Sequence, residues 1–160
     1  PTAEELADIT LLVAKEVKTL GIEPRIAMLS YSNFGSSDTP EARTVRNARA
    51  IVKQKNPSLI VDGEVQGIVA FNKEIMRENY PFSELVDKGA VNTLIFPNLS
   101  AGNIAYKLLQ ESAGCEVIGP VLLGMNHSYH ILQMGCSVRE IVNMIRIAVV
   151  DAQLKGTGRA

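Results

Sequence analysis

Short apolar runs that each end in polar residues alternate along this chain with longer stretches that carry apolar residues at helical spacing, and this alternation leaves few folds open. Ile26-Ala27-Met28-Leu29 runs into Ser30-Tyr31-Ser32-Asn33-Phe34-Gly35-Ser36-Ser37. Leu59-Ile60-Val61 ends at Asp62-Gly63-Glu64, and Val91 to Phe96 ends at Pro97-Asn98-Leu99-Ser100. Runs this short, apolar throughout, suit strands buried on both faces. Between them, Thr2 and Glu5 have capping-box spacing, and Leu6, Ile9, Leu12/Val13 and Val17 follow at helical intervals until Gly21, which predicts a helix over 3–19. Thr39 is placed to cap a second helix, with Pro40 and Glu41 in its first turn, ending at the Asn56-Pro57 break. Ser100 opens a helix to about Ser112, Glu116 to Leu123 reads as extended and broken by Pro120, and Tyr129 to Leu132 reads as a last short strand. Ser137 with Glu140 repeats the capping box and opens a helix to about Gln153. The expected fold is α/β, a three-layer α/β/α arrangement with a mostly parallel sheet, forming one lobe over residues 1–154 with a flexible tail at 155–160.

A chain of 160 residues with 46% hydrophobic content is enough for one core that buries about two-thirds of the unfolded surface. The formal net charge of -1 removes the general attraction that a nucleic-acid or membrane-surface binder requires, so neither partner is expected. No apolar run reaches the roughly 18–20 residues of a spanning helix, and the acidic, amphipathic start is unlike a signal peptide. Cys115 and Cys136 lack metal-ligand spacing and read as thiols of a reducing, cytoplasmic compartment. Pro1 in place of methionine suggests a processed start or an excised segment.

In parallel sheets ligands collect at the carboxyl ends of the strands, where helix N-termini direct N–H groups outward. Ser30, Ser32 and Asn33, then Asp62 and Glu64, then Asn98 would stand side by side along that rim. The 33–37 loop offers glycine, hydroxyls and backbone donors to a phosphate or acyl-phosphate oxygen, although the same composition is ordinary turn chemistry. It has no Walker lysine, and no G-x-G-x-x-G follows any strand, so this chain shows no dinucleotide fingerprint. Arg43, Arg46, Arg49 and Lys53 recur on one stripe, either a seat for phosphates or a solvated helix face. Asp62 and Glu64 could hold a metal or act as an acid/base pair, but lack a third ligand, so hydrogen bonding to loop backbone is the simpler role. His127 and His130 lack the carboxylate or thiolate that completes a zinc site, and Cys136 has no His or Asn arrangement marking it as a nucleophile, so no metal is expected.

Three stretches read together carry a family resemblance: Met28 to Ser32 with Gly35-Ser36, Asp62 to Gln66, and Phe96 to Leu108, joined by Ile118 to Gly124 and Gly135-Cys136-Ser137. They resemble the phosphate acetyl/butyryl-transferase family. The resemblance implies the two-lobed fold shared with isocitrate and isopropylmalate dehydrogenases, one lobe of it present here, in a family that moves acetyl between CoA and phosphate and is commonly dimeric. Active members carry Ser-Arg before Gly-Cys-Ser and an acidic residue four positions after that cysteine; here these positions are Gln133-Met134 and Glu140. Methionine supplies neither charge nor donor, so transfer to phosphate is expected to be very slow. His130 to Met134, Ser32 to Ser36 and Glu140 to Asn143 instead resemble the phosphotransacetylase-like tail of the large bacterial malic enzymes.

That resemblance implies a non-catalytic regulatory domain that binds acetyl-CoA as an allosteric inhibitor. An upstream malic enzyme part would convert malate to pyruvate and carbon dioxide with NAD or NADP and a divalent metal, and this chain would hold no cofactor and no catalytic residue of its own. Expected ligand contacts are Ser30, Ser32, Asn33, Asp62, Glu64, Asn98, Asn103, Lys107 and Gln133, and the expected assembly is a homodimer or higher homo-oligomer. An active phosphate acetyltransferase and a ligand-free oligomerisation module are the alternatives.

Overall fold

In the computed structural model, which describes residues 1–115 and 117–156, Thr2 caps the first helix through both bonds of the box. Its Oγ1 accepts from Glu5 N at 3.2 Å, and Glu5 Oε2 accepts from Thr2 N at 2.7 Å. The elements in order are α1 (Ala3–Thr19), β1 (Arg25–Leu29), α2 (Pro40–Lys55), β2 (Ile60–Val65), α3 (Gly67–Phe71), α4 (Lys73–Asn79), β3 (Thr93–Ile95), α5 (Leu99–Ser112) and α6 (Val138–Gly156). The residues group into two compact units, Pro1–Ala105 and Tyr106–Ala160, with α5 beginning in the first and ending in the second.

In the first unit the strands are parallel in the order β2-β1-β3, so their carboxyl ends share one edge. Successive side chains of a strand face opposite ways. Ile26 and Met28 of β1 join Val61 and Ile95 against Leu6 and Ala14 of α1 and Val45, Ala48 and Val52 of α2. Ala27 and Leu29 face the other way and join Val65 in a second cluster with Val69 and Ala70 of α3, Met76 of α4 and Leu85. Helices therefore cover both faces of a parallel sheet, as the sequence implies.

The β1–β2 ladder skips one residue: Met28 pairs with Gly63 and Leu29 with Val65, leaving Glu64 as a bulge. A bulged residue has no ladder partner, so its side chain can be aimed away from the sheet's regular alternation. Gly63 permits this, because its φ is +146° and a Cβ would lie 2.5 Å from the Met28 carbonyl oxygen. The residues Asp62-Gly63-Glu64, read from sequence as the polar stop of a strand, thus lie inside β2.

Other boundaries also move. Helices α3 and α4 cover the sheet where the sequence reading placed no element. Residues 117–123 and Tyr129 to Leu132 form no strand; Glu116 lies outside the described residues. Among its described residues the second unit has no strand to offer a ladder, and Tyr129, Ile131 and Leu132 are exposed. Ser137 and Glu140 form the second capping box at 2.6 and 3.2 Å, but α6 continues to Gly156, so the first residues of the expected tail are helical and 157–160 lie outside the described residues.

Candidate functional site

The rim at the carboxyl edge of the sheet is organised by Glu64. Its side chain is fully buried, and Oε1 accepts from Ser32 Oγ at 2.9 Å, Gly35 N at 2.8 Å and Arg46 Nη2 at 2.9 Å. Arg46 Nε reaches Oε2 at 3.1 Å, and the Glu64 carbonyl accepts from Phe34 N at 2.7 Å. Burial pushes this carboxyl up, but the Arg46 guanidinium, backbone amides including that of Gly35, and the Ser32 hydroxyl outweigh burial and hold it below the usual carboxylate range. The same bond to Glu64 raises Arg46 above its ordinary value.

Asp62 is equally committed. Oδ1 accepts from Arg49 Nε at 3.1 Å and Gly63 N at 3.0 Å, while Oδ2 accepts from Ser83 Oγ at 2.8 Å and Glu84 N at 3.0 Å. The cationic stripe of α2 is paired throughout: Arg43 with Asp38 at 2.8 Å, Arg46 with Glu64, Arg49 with Asp62, and Lys53 with Glu84 at 2.7 Å. It is not a simply solvated face, because its charges are matched inside the unit. Among the described residues no group of three or more His, Cys, Asp and Glu is arranged to hold a metal.

The loop after β1 is shaped from within. Ser32, fully buried, accepts from Ser37 N at 3.0 Å, and Asn33 Oδ1 accepts from Gln66 N at 2.7 Å, tying the loop to the end of β2. Ser30 is half-buried, and its Oγ accepts from Ser32 N at 3.2 Å, so its hydroxyl proton stays available. Across the rim, the exposed Asn98 accepts from Ala101 N at 2.9 Å with Oδ1, which leaves its amide NH2 pointing away from the cap. Asn103 is exposed one turn into α5. Ser30, Asn33, Asn98 and Asn103 therefore belong to the same unit as Glu64 and keep free hydrogen-bonding capacity, whereas Ser32, Asp62 and Glu64 are occupied by protein partners.

The remaining expected contacts lie in the second unit, where Lys107 Nζ donates to Gln133 Oε1 at 3.1 Å and stands 4.7 Å from the Tyr106 ring centre. Gln133, Met134, Cys136 and Glu140 line a cavity of about 140 Å³ in this unit, and Met134 is fully exposed. The Ser137 backbone amide and hydroxyl hold Glu140 below the usual carboxylate range, with Lys107 adding to the effect. Sequence reading missed the partners of the two buried acids. Arg46 and Arg49 were visible as a stripe without a target, while nothing local marked Ser83 or Glu84.

Residues 1–149 match the family described as phosphate acetyl/butaryl transferase. An NADP-dependent malic enzyme of Haemophilus influenzae is 52% identical over 96% of this chain, which spans 20% of that relative, and a phosphate acetyltransferase of Clostridium acetobutylicum is 41% identical over 96% of this chain and 46% of its own length. A phosphotransacetylase from Streptococcus pyogenes superposes with a TM-score of 0.86 at 38% identity, covering 98% of this chain and 46% of that one. The chain thus spans about a fifth of the length of the malic enzymes it matches and just under half of these transferases. With a parallel sheet between helical layers, a rim built on a bulged glutamate and a family match across nearly its whole length, this chain belongs to the phosphate acetyl/butaryl transferase family.

Proposed function

We propose that this chain is the acetyl-CoA-sensing domain of a malic enzyme, without phosphate acetyltransferase activity of its own. The observation that carries this reading is the pair Gln133-Met134: a neutral amide bonded to Lys107 and an exposed thioether occupy the positions where active transferases resemble one another in carrying Ser-Arg. Identities of 44–52% to malic enzymes against 38–44% to phosphate acetyltransferases lean to the same side. An arginine offers a phosphate a charged, forked set of donors; neither replacement does.

In this reading Ser30, Asn33, Asn98 and Asn103 hydrogen-bond the effector, and Ser32, Asp62 and Glu64 hold the rim in shape. Malate decarboxylation, with NAD or NADP and a divalent metal, belongs to an upstream part, and the domain acts within a homodimer or larger assembly. Acetyl-CoA inhibits by favouring one arrangement of that assembly, since a ligand with equal affinity for both arrangements shifts nothing.

Titrating acetyl-CoA into the intact protein tests this, with malate decarboxylation and CoA release from acetyl-CoA and phosphate both followed. The expected result is a several-fold loss of malate turnover, within the roughly 5–150-fold range of ordinary coupling energies, with no CoA release. CoA release at an enzymic rate would make the chain a transferase, and silence in both assays would leave an oligomerisation module.

A further inference from the structure

Between α3, α4 and the segment leading to β3, the first unit contains a cavity of about 310 Å³ that shares no lining residue with the rim. Its floor is apolar and buried: Ala70, Met76 and Leu85 are 7%, 3% and 6% exposed. Its mouth is cationic. Lys73 and Arg77 stand four residues apart on α4, hence on one face and within reach of a single bridging group. Arg77 Nη2 bonds Asp87 Oδ1 at 2.7 Å, which engages one of the five guanidinium donors, and the Lys73 ammonium has no hydrogen bond or ion pair among the described residues. With Asp87 counted against Lys73 and Arg77, the charges lining the cavity sum to +1.

An apolar floor beside an exposed cation with no protein partner among the described residues, and a guanidinium with donors to spare, together suit a ligand with an anionic head and a hydrocarbon tail. The volume lies at the lower end of the range for ligand cavities, which favours a short tail. We propose that this cavity binds a short-chain monocarboxylate, with its carboxylate bridging Lys73 and Arg77 and its tail against Ala70, Met76 and Leu85. The Asp87 carboxylate on Arg77 Nη2 shows that this guanidinium pairs with a carboxylate at the cavity.

Methyl NMR of the intact protein titrated with hexanoate tests the proposal, read at Met76 and Leu85. The expected result is saturable shifts at both residues. Lys73→Glu, a change on an exposed side chain that leaves the fold intact, should weaken binding about tenfold or more, while Lys73→Arg should retain it. Hexan-1-ol, with the same chain and no charge, should bind more weakly than hexanoate. No saturable shift up to about 10 mM hexanoate, equal affinity for the alcohol, or an unchanged affinity in Lys73→Glu would each overturn it.

Discussion

Replacing Glu64 by alanine is expected to lower the unfolding free energy by about 2–4 kcal/mol, read as a lower urea midpoint at pH 7. Removing one member of a buried ion pair strands the other. Here the change also strands the Gly35 amide, whereas the Ser32 hydroxyl keeps Ser36 Oγ at 3.2 Å. The figure lies below the full cost of an uncompensated buried charge because the Arg46 side chain is 36% exposed and can recover water. The pH dependence follows from the direction of the Glu64 shift. Its folded value is depressed, so the stabilisation is complete above the unfolded value of about 4.3 and is lost as pH falls through the folded value. The gap between wild type and variant should therefore narrow in acid below that point. Equal midpoints at neutral pH would mean that the rim is held by something other than this carboxylate.

The second large effect is a gain. Gln133→Ser combined with Met134→Arg in the intact protein should raise CoA release from acetyl-CoA and phosphate by about 10²-fold or more, the scale on which one preorganised electrostatic donor changes a rate. Gln133→Ser alone supplies no charge and should leave the rate where it is. Both variants remove the Gln133 oxygen that Lys107 bonds, so the single change controls for the freed ammonium and a gain seen only in the double change belongs to the arginine. A double variant as silent as the parent would show that more than Gln133-Met134 separates the chain from active transferases.

How much of this was legible depended on how far apart the interacting residues stand in the chain. Thr2 with Glu5 and Ser137 with Glu140 are three residues apart, and both capping boxes form as their spacing predicts. The three strands were visible as apolar runs because both of their faces are covered. By contrast, α3 and α4 are only 5 and 7 residues long, and α3 is rich in residues that suit a strand equally well. What holds them is tertiary: Val69, Ala70 and Met76 pack on the sheet, and Asn72 caps α4 by accepting from Glu74 N and Ile75 N. Tyr129 to Leu132 has strand-like composition but no strand beside it among the described residues of its unit, and composition cannot supply a ladder.

The candidate site divides along the same line. Its residue types, its edge of the sheet and the loop-backbone bonding of Asp62 and Glu64 could be read, but the side-chain partners of these two acids could not. Arg46 is 18 residues from Glu64, Ser32 is 32 away, and Ser83 is 21 from Asp62. No periodicity connects such positions; only the folded sheet brings them together. A carboxylate at a strand end therefore reads as a ligand group until its protein partners are seen.

The bulge at Glu64 also determines how this rim can open. Phe34 and Gly35 give their amide protons to the carbonyl and carboxylate of one strand residue, and Gln66, just past that strand, gives its own amide to Asn33. These loop amides can exchange with solvent only when the end of β2 lets go, so the loop shares the lifetime of the strand rather than fluctuating as an independent surface segment. A surface loop timed by the sheet beneath it can pass an event at its edge directly into the core.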